Sequence, residues 1–374
     1  VHTLSKVLLI TNQPPAQMAG GRAMLCRLNR DALQDLVGSQ LVVVELLRRS
    51  VSGGMEAARA LLGEIDGINQ GAIEHVSALL ADGTVTRVFI DGSNLGMLAR
   101  TIKHRFPHVE VITFFHNVEA RFFYGALRKT RTLHAAAVMI ANYLAERSSV
   151  RHSDKRICLS ERDSHLLRRL YGRSATHVAP IALHDRAPEG PGASDPPAEK
   201  FALFVGGMFY ANEAGIAWYA EHVAPKIGMR TCVVGHGTEA LRDRLELHEN
   251  ITVVGSVSSL ADWYQRAHVV VAPIFDGSGM KTKVAEALMY GKRVIGTPEA
   301  FSGYEDLAQQ AGEVCQSAEE FAVAINRSED LPYCMCDPQL RMLYLQMYSF
   351  AAARKRLQAV LSDQPFQQSS WANS

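Results

Sequence analysis

At 374 residues the chain exceeds one ordinary hydrophobic core, so two domains are expected. Apolar residues at 47% against charged residues at 21% describe a globular protein, and a net charge of +1 leaves no global field to draw nucleic acid. No apolar run reaches bilayer-spanning length and the first residues carry no signal-peptide core, so a cytoplasmic protein is expected.

The first buried-strand run covers residues 7–10. It leads through a loop ending in Gly20-Gly21 to a helix from about Arg22 to Leu36. A glycine pair ahead of a helix is a candidate anion or sugar site, although it is not a GxGxxG. Further strands are expected at 41–47, at 85–90 running into Asp91-Gly92-Ser93, and at 109–115 running into His116-Asn117-Val118-Glu119. Open parallel sheets place ligands at the carboxyl ends of their strands, which puts Asp91, Ser93, His116 and Glu119 on one rim with Gly20 and Gly21. Residues 121–152 read as one long helical region. Its cations Arg121, Arg128, Lys129, Arg131, Arg147 and Arg151, interleaved with Phe122, Phe123, Tyr124 and Leu127, suit either a solvated core helix or an anionic membrane surface. Ser160 is expected to cap a helix reaching Tyr171, and a strand over 177–183 closes this half.

Composition breaks at 184–199, HDRAPEGPGASDPPAE, which reads as a linker. The expected division is an acceptor domain over 1–183, this linker, a nucleotide-sugar domain over 200–337, a helix over 338–362 crossing back to the first domain, and a tail over 363–374. In the second half, strands at 201–205, 231–234 and 251–254 each end in glycine turns: Gly206-Gly207, Gly235-His236-Gly237 and Gly255-Ser256-Val257. The next strand, 269–272, leads into PIFDGSGMKTKVAEALMYGKRVIG. The order strand, Gly277-Ser278-Gly279-Met280 loop, helix from Thr282, strand is the anatomy of a phosphate site. The glycines admit an anion, the helix start offers N–H groups, and Lys281 and Lys283 add charge. Lysine at a helix N-terminus opposes the dipole and calls for a compensating anion. Glu286 lies a turn further on, where a carboxylate suits paired ribose hydroxyls. The six cysteines, Cys26, Cys158, Cys232, Cys315, Cys334 and Cys336, form no CxxC pair and are expected as buried, reduced thiols. No metal set is read from them.

The segments FVGGMFYANEAG, VVGHG, ITVVGSV, LADWYQRAHVVVAPI and GSGMKTKVAEALMYGKRVIGT resemble the group 1 (family 4) glycosyltransferases, while TFFHNVEARFFY and KRICLSERDSHLLRRLYG resemble members that build bacterial capsular or lipopolysaccharide chains. The resemblance implies an α/β protein of GT-B fold, two Rossmann-like doubly wound domains facing across a cleft. It also implies a nucleoside-diphosphate sugar as co-substrate and a saccharide or lipid-linked acceptor. The base lies near Gly255 and Val257 and the ribose on Glu286. Lys281 or Lys283 stabilises the departing diphosphate with no metal cofactor, and His116 contacts the sugar. Gly207 and His236 belong to the same donor set. Many relatives carry two glutamates eight positions apart; Glu286 matches the second, and Ser278 stands where the first would be. Retention of anomeric configuration is implied; an inverting reaction would instead need Asp91 or Glu119 as the acceptor's base. A nucleotide-sugar epimerase of the same architecture and a non-catalytic scaffold subunit are the alternative readings. Contact with the inner face of the cytoplasmic membrane is the further expectation.

Overall fold

A computed structural model describes residues 6–13, 21–47, 54–188, 197, 199–277 and 279–362. The described residues fall into two units, one drawn from Val1–Ala182 with Phe350–Ser374 and the other from Leu183–Ser349.

The first unit is built on six parallel strands: β1 Lys6–Thr11, β2 Leu41–Glu45, β3 Val85–Asp91, β4 Glu110–Phe115, β5 Lys155–Cys158 and β6 His177–Val178. Their spatial order is β2-β1-β3-β4-β5-β6. The central strands are apolar on both faces because helices cover both sides, as parallel crossover connections require. Leu8, Leu9, Ile10, Val88, Phe89, Ile90, Val111 and Ile112 are accordingly buried. The helix Gly21–Val37 carries Leu25, Leu28, Ala32 and Leu33 toward this core, with Cys26 and Asn29 on the same buried face. The closing helix Phe350–Leu361 returns to the unit, where Ala353 packs with Leu28 and Ala182.

Three sequence expectations change here. The long helix over 121–152 is two helices, Glu119–Thr130 and Leu133–His152. Arg131 adopts a left-handed φ of 51° that ends the first, and Thr132 caps the second through Ala135 N, a contact of about 1 kcal/mol. The strand expected over 177–183 stops at Val178. Pro180 lacks the N–H a ladder needs, and only Leu183 pairs again, as an isolated bridge with Ser349. The terminal helix is interrupted: Pro338–Leu343 passes into a wide turn over Tyr344–Tyr348, and Ser349 is extended before Phe350. Ser160 does cap its helix, accepting from Asp163 N at 3.2 Å.

The second unit repeats the architecture with β7 Phe201–Val205, β8 Arg230–Val234, β9 Ile251–Gly255, β10 Val269–Ala272, β11 Val294–Gly296 and β12 Gly312–Val314, in the order β12-β11-β10-β7-β8-β9. All pairs are parallel. The first strand, β7, lies between β8 and β10, so connections leave it in opposite directions. A crevice therefore opens at the carboxyl ends of β7 and β10. The helix Tyr210–His222 seals one side of it. A Cβ on Gly215 would stand 1.8 Å from the Pro273 carbonyl oxygen, so only glycine lets this helix lie so close to the chain leaving β10. The linker expected over 184–199 and the tail after 363 lie largely outside the described residues.

Candidate active site

The crevice of the second unit collects the glycine turns. Gly206 N donates to Val234 O, Met208 N to His236 O and Gly235 N to Gly255 O, each at 2.9 Å, which ties the turns after β7, β8 and β9 into one rim. Gly255 has φ 88°, and Ser256 N donates to the Glu239 carboxylate at 2.5 Å. His236 is exposed, its Nδ1 3.4 Å from Ser256 Oγ, and Val257 is half-buried beside it. Gly207 is exposed next to them.

From β10 the chain runs through Gly277 and Gly279, both at positive φ (139° and 64°), into the helix Thr282–Met289. Ser278 between them is outside the described residues. Met280 is buried under the turn. Lys281 is the N-cap residue and supplies no side-chain cap, so the helix start presents its N–H groups and positive dipole end beside Thr282.

The two lysines have different environments. Lys281 Nζ donates to Gly279 O at 2.9 Å and pairs with Glu299 at 3.0 Å. Lys283 is buried; its Nζ donates to the neutral amide oxygen of Asn212 at 2.9 Å and lies 4.8 Å from the Phe204 ring centroid. Burial pulls the Lys283 ammonium down to about 8, with Glu286 opposing the drop and Lys281 adding to it. Asn212 also donates to Gly207 O at 2.9 Å, linking the loop after β7 to the helix after β10. Glu286, half-buried, accepts from Tyr264 Oη at 3.0 Å. Burial raises its pKa, against the Tyr264 hydroxyl, Lys283 and Arg186, which lower it. Tyr264 is fixed in turn by stacking on Tyr290 at 5.0 Å and 4°.

The first unit has its own polar rim at the ends of β1, β3 and β4. His116 Nε2 stands 2.9 Å from Asp91 Oδ1 and 3.4 Å from Cys26 Sγ. Asn29 Nδ2 donates to the same Asp91 oxygen at 2.9 Å. Burial acts to raise the Asp91 pKa, but His116, Cys26 and Asn29 outweigh it and hold the carboxyl below its usual range. Asp91 is 0% exposed and faces inward, so it sits as a partner of His116 and not as a base open to an acceptor. Glu119 is also buried, 3.4 Å from Arg22, whose guanidinium reaches Asn12 at 3.3 Å and Asn94 at 2.8 Å. The helix bearing Glu119 is capped from outside its own sequence: Glu146 accepts from Glu119 N (2.9 Å) and Ala120 N (3.2 Å), and also from Ser93 Oγ and Tyr171 Oη. Gly21 opens the first helix, whereas Gly20 lies outside the described residues.

Arg22, Cys26, Asn29, Glu146, Asn212 and Glu299 were not readable as site residues in advance. A faint signal existed for Cys26 and Asn29, polar groups three apart on an otherwise apolar helix face. The thiols also need correction: Cys26, Cys158, Cys232 and Cys315 are buried, but Cys334 and Cys336 are exposed. Among the described residues no helix is long and apolar enough to cross a membrane.

Residues 199–329 match the family model described as glycosyl transferases group 1. The second unit therefore carries a glycosyltransferase domain, which makes the chain an enzyme of the transferase class. No curated protein matches the chain by sequence. Among solved structures, sucrose-phosphate synthase (tll1590) from Thermosynechococcus elongatus is similar with a TM-score of 0.71 at 17% identity, covering 96% of this chain and 98% of its own. Anabaena Alr3699/HepE in complex with UDP aligns at 0.66 and 14%, covering 96% and 100%. The lipopolysaccharide outer core galactosyltransferase WaaB, apo form, aligns at 0.63 and 12%, covering 96% and 99%. At these identities the likeness establishes the fold, and it is GT-B.

Proposed function

We propose, starting from the glycosyltransferase domain in residues 199–329, that the chain moves a sugar from a nucleoside-diphosphate sugar to a hydroxyl of a saccharide or lipid-linked acceptor in bacterial surface-polysaccharide synthesis. The observation that carries this reading is Lys283: a buried ammonium with a neutral partner, one residue inside an uncapped helix start, at the crevice of a parallel sheet. Such a site favours an anion, and a diphosphate leaving group is the anion that sugar transfer releases.

Lys281 is already paired with Glu299, so Lys283 and the N–H groups near Thr282 take the diphosphate charge. That is the electrostatic work a divalent ion performs elsewhere, and the diphosphate needs none here. Glu286 accepts from the ribose hydroxyls, while the turn over Gly255 and Val257 takes the base. His116, on the first unit's rim, is the residue we assign to contact the sugar. Asp91 and Glu119 are both sealed by partners, which supports a retaining reaction that needs no acceptor base. HepE structures hold UDP, UDP with glucose, and UDP-glucose, so uridine diphosphate is the first nucleotide to offer.

A cytoplasmic location with contact to an anionic membrane belongs to the same reading. Tyr124 and Leu133 are exposed (54% and 92%) on the helices that carry Arg128 and follow Arg131. Cosedimentation with phosphatidylglycerol vesicles that fades with added salt supports that contact; equal binding to neutral vesicles removes it.

The deciding experiment is thermal unfolding in the presence of UDP, GDP, ADP, CMP and their sugar conjugates. A ligand at a hundredfold excess over its Kd stabilises the native state by about 2.7 kcal/mol, a readable rise in Tm. A shift with one nucleoside diphosphate that disappears in Lys283→Met supports the reading. The absence of any shift, in the intact chain, overturns the donor site.

A further inference from the structure

The rim of the first unit holds three metal-ligating side chains that the sugar-transfer reading does not require together. Cys26 comes from the helix Gly21–Val37, Asp91 from the end of β3 and His116 from the turn after β4. One ligand atom from each lies within 4.8 Å of the others, and the residues are 3%, 0% and 6% exposed. We propose that Cys26, Asp91 and His116 bind one zinc-class divalent cation. The proposal does not rest on the transferase reading, and its site is in the other unit from the diphosphate lysine.

Geometry is the first argument. Ligand bonds of about 2.3 Å to sulfur and 2.0–2.1 Å to nitrogen and oxygen, set tetrahedrally, place sulfur about 3.5 Å from nitrogen and nitrogen about 3.3 Å from oxygen. The observed separations are 3.4 Å for Cys26 Sγ to His116 Nε2 and 2.9 Å for His116 Nε2 to Asp91 Oδ1. The first edge matches that of a tetrahedral face and the second is short of it by about 0.4 Å, while all three ligand atoms lie within 4.8 Å of one another.

Hydrogen bonding alone accounts for the cluster less well. One imidazole nitrogen faces both the sulfur and the carboxylate oxygen, as ligands around one shared centre would. Asp91 Oδ2 is buried with no hydrogen-bond partner among the described residues, in a carboxylate with no exposed surface. A sealed carboxylate oxygen without a donor costs free energy, which a cation held by both oxygens of Asp91 would recover. The surroundings also resemble an outer ligand shell: Asn29 holds the carboxylate at 2.9 Å, and the His116 ring rests 5.0 Å from the Phe114 ring. The ligand set of thiolate, imidazole and carboxylate suits Zn²⁺ or Co²⁺ and is too soft for Mg²⁺ or Ca²⁺. On binding, the Cys26 thiol gives its proton to water and the sulfur lone pair goes to the metal.

The test uses the full chain, stripped with a chelator and titrated with Co²⁺. The expected result is one equivalent bound, with a thiolate-to-cobalt charge-transfer band and tetrahedral visible bands that Zn²⁺ displaces. The band is lost in Cys26→Ser and kept in the Cys334→Ser, Cys336→Ser double variant. Absence of the band overturns the proposal. So does a band that survives Cys26→Ser and vanishes in the double variant, which marks adventitious binding at the exposed pair. Should Cys26→Ser not fold, X-ray absorption on the zinc-loaded wild type decides: one sulfur among nitrogen and oxygen neighbours supports the site, and two sulfurs or none refute it.

Discussion

Lys283 Nζ and Asn212 Oδ1 stand 2.9 Å apart, joining the helix after β10 to the helix after β7 across the crevice of the second unit. A neutral amide orients the ammonium without cancelling its charge. Lys281, two residues earlier, is held by a carboxylate instead. This difference is the basis on which the proposed function gives the diphosphate to Lys283.

Replacing Lys283 with methionine is expected to lower turnover by at least about a hundredfold while the chain still folds, as judged by circular dichroism. The pH dependence follows from the sign of its shift. The folded chain releases this proton near pH 8, whereas the unfolded chain holds it to about 10.5. Between these values the unfolded state binds more protons, so stability rises with pH, while nucleotide binding that needs the ammonium weakens above pH 8. Denaturant melts and UDP titrations across that window are expected to lose both trends in Lys283→Met.

Glu286→Gln keeps an acceptor for Tyr264 but removes the charge that the proposed function gives to the ribose hydroxyls. Hydrogen bonds to charged groups contribute about 1.5–3 kcal/mol, so the donor KM is expected to rise about tenfold to a hundredfold with a smaller change in kcat. Steady-state kinetics separates the two; an unchanged KM places the ribose elsewhere.

Glu146 is fully buried and holds the start of the Glu119–Thr130 helix from the neighbouring helix. Burial, reinforced by Glu119, raises its pKa from 4.5 to about 7. A carboxyl raised on folding binds more protons in the native state, so stability is greatest below pH 4.5 and falls as pH climbs through 7. Glu146→Gln is expected to flatten that part of the stability profile in urea denaturation; an unaltered slope assigns it to other groups.

Gly215→Ala places a methyl group against the Pro273 carbonyl, where the built Cβ is 1.8 Å from the oxygen. Overpacking of about 1–3 kcal/mol is expected, with weaker donor binding because the displaced helix carries Asn212. Gly125→Ala is the control. It sits inside the Glu119–Thr130 helix with nothing within 4 Å of its Cβ, and relief of helix glycine should stabilise by about 0.5–1 kcal/mol. Differential scanning fluorimetry orders the two variants.

The alternation of apolar runs with glycine turns was enough to read two parallel sheets, because a strand buried on both faces must be apolar throughout. The order strand, glycine loop, helix over the Gly277–Lys283 stretch was legible for a related reason: closely spaced glycines between an apolar run and a helical pattern mark a turn. Helix breaks were less legible. Arg131 ends a helix in the left-handed region through a local conformation that no periodicity announces, and Ser349 is drawn extended by pairing with Leu183, far away in sequence.

Sequence by itself determined the fold class, the crevice loops and the identity of Lys281, Lys283 and Glu286 as the charged groups beside them, since these follow from local spacing. Only the tertiary structure decided which lysine pairs with a carboxylate and which with a neutral amide, because Glu299 and Asn212 reach them across 18 and 71 residues. It likewise decided that Asp91 faces inward and that Cys26 meets His116 across 90 residues. Burial and pairing are properties of the folded neighbourhood, and a residue's own sequence context does not contain them.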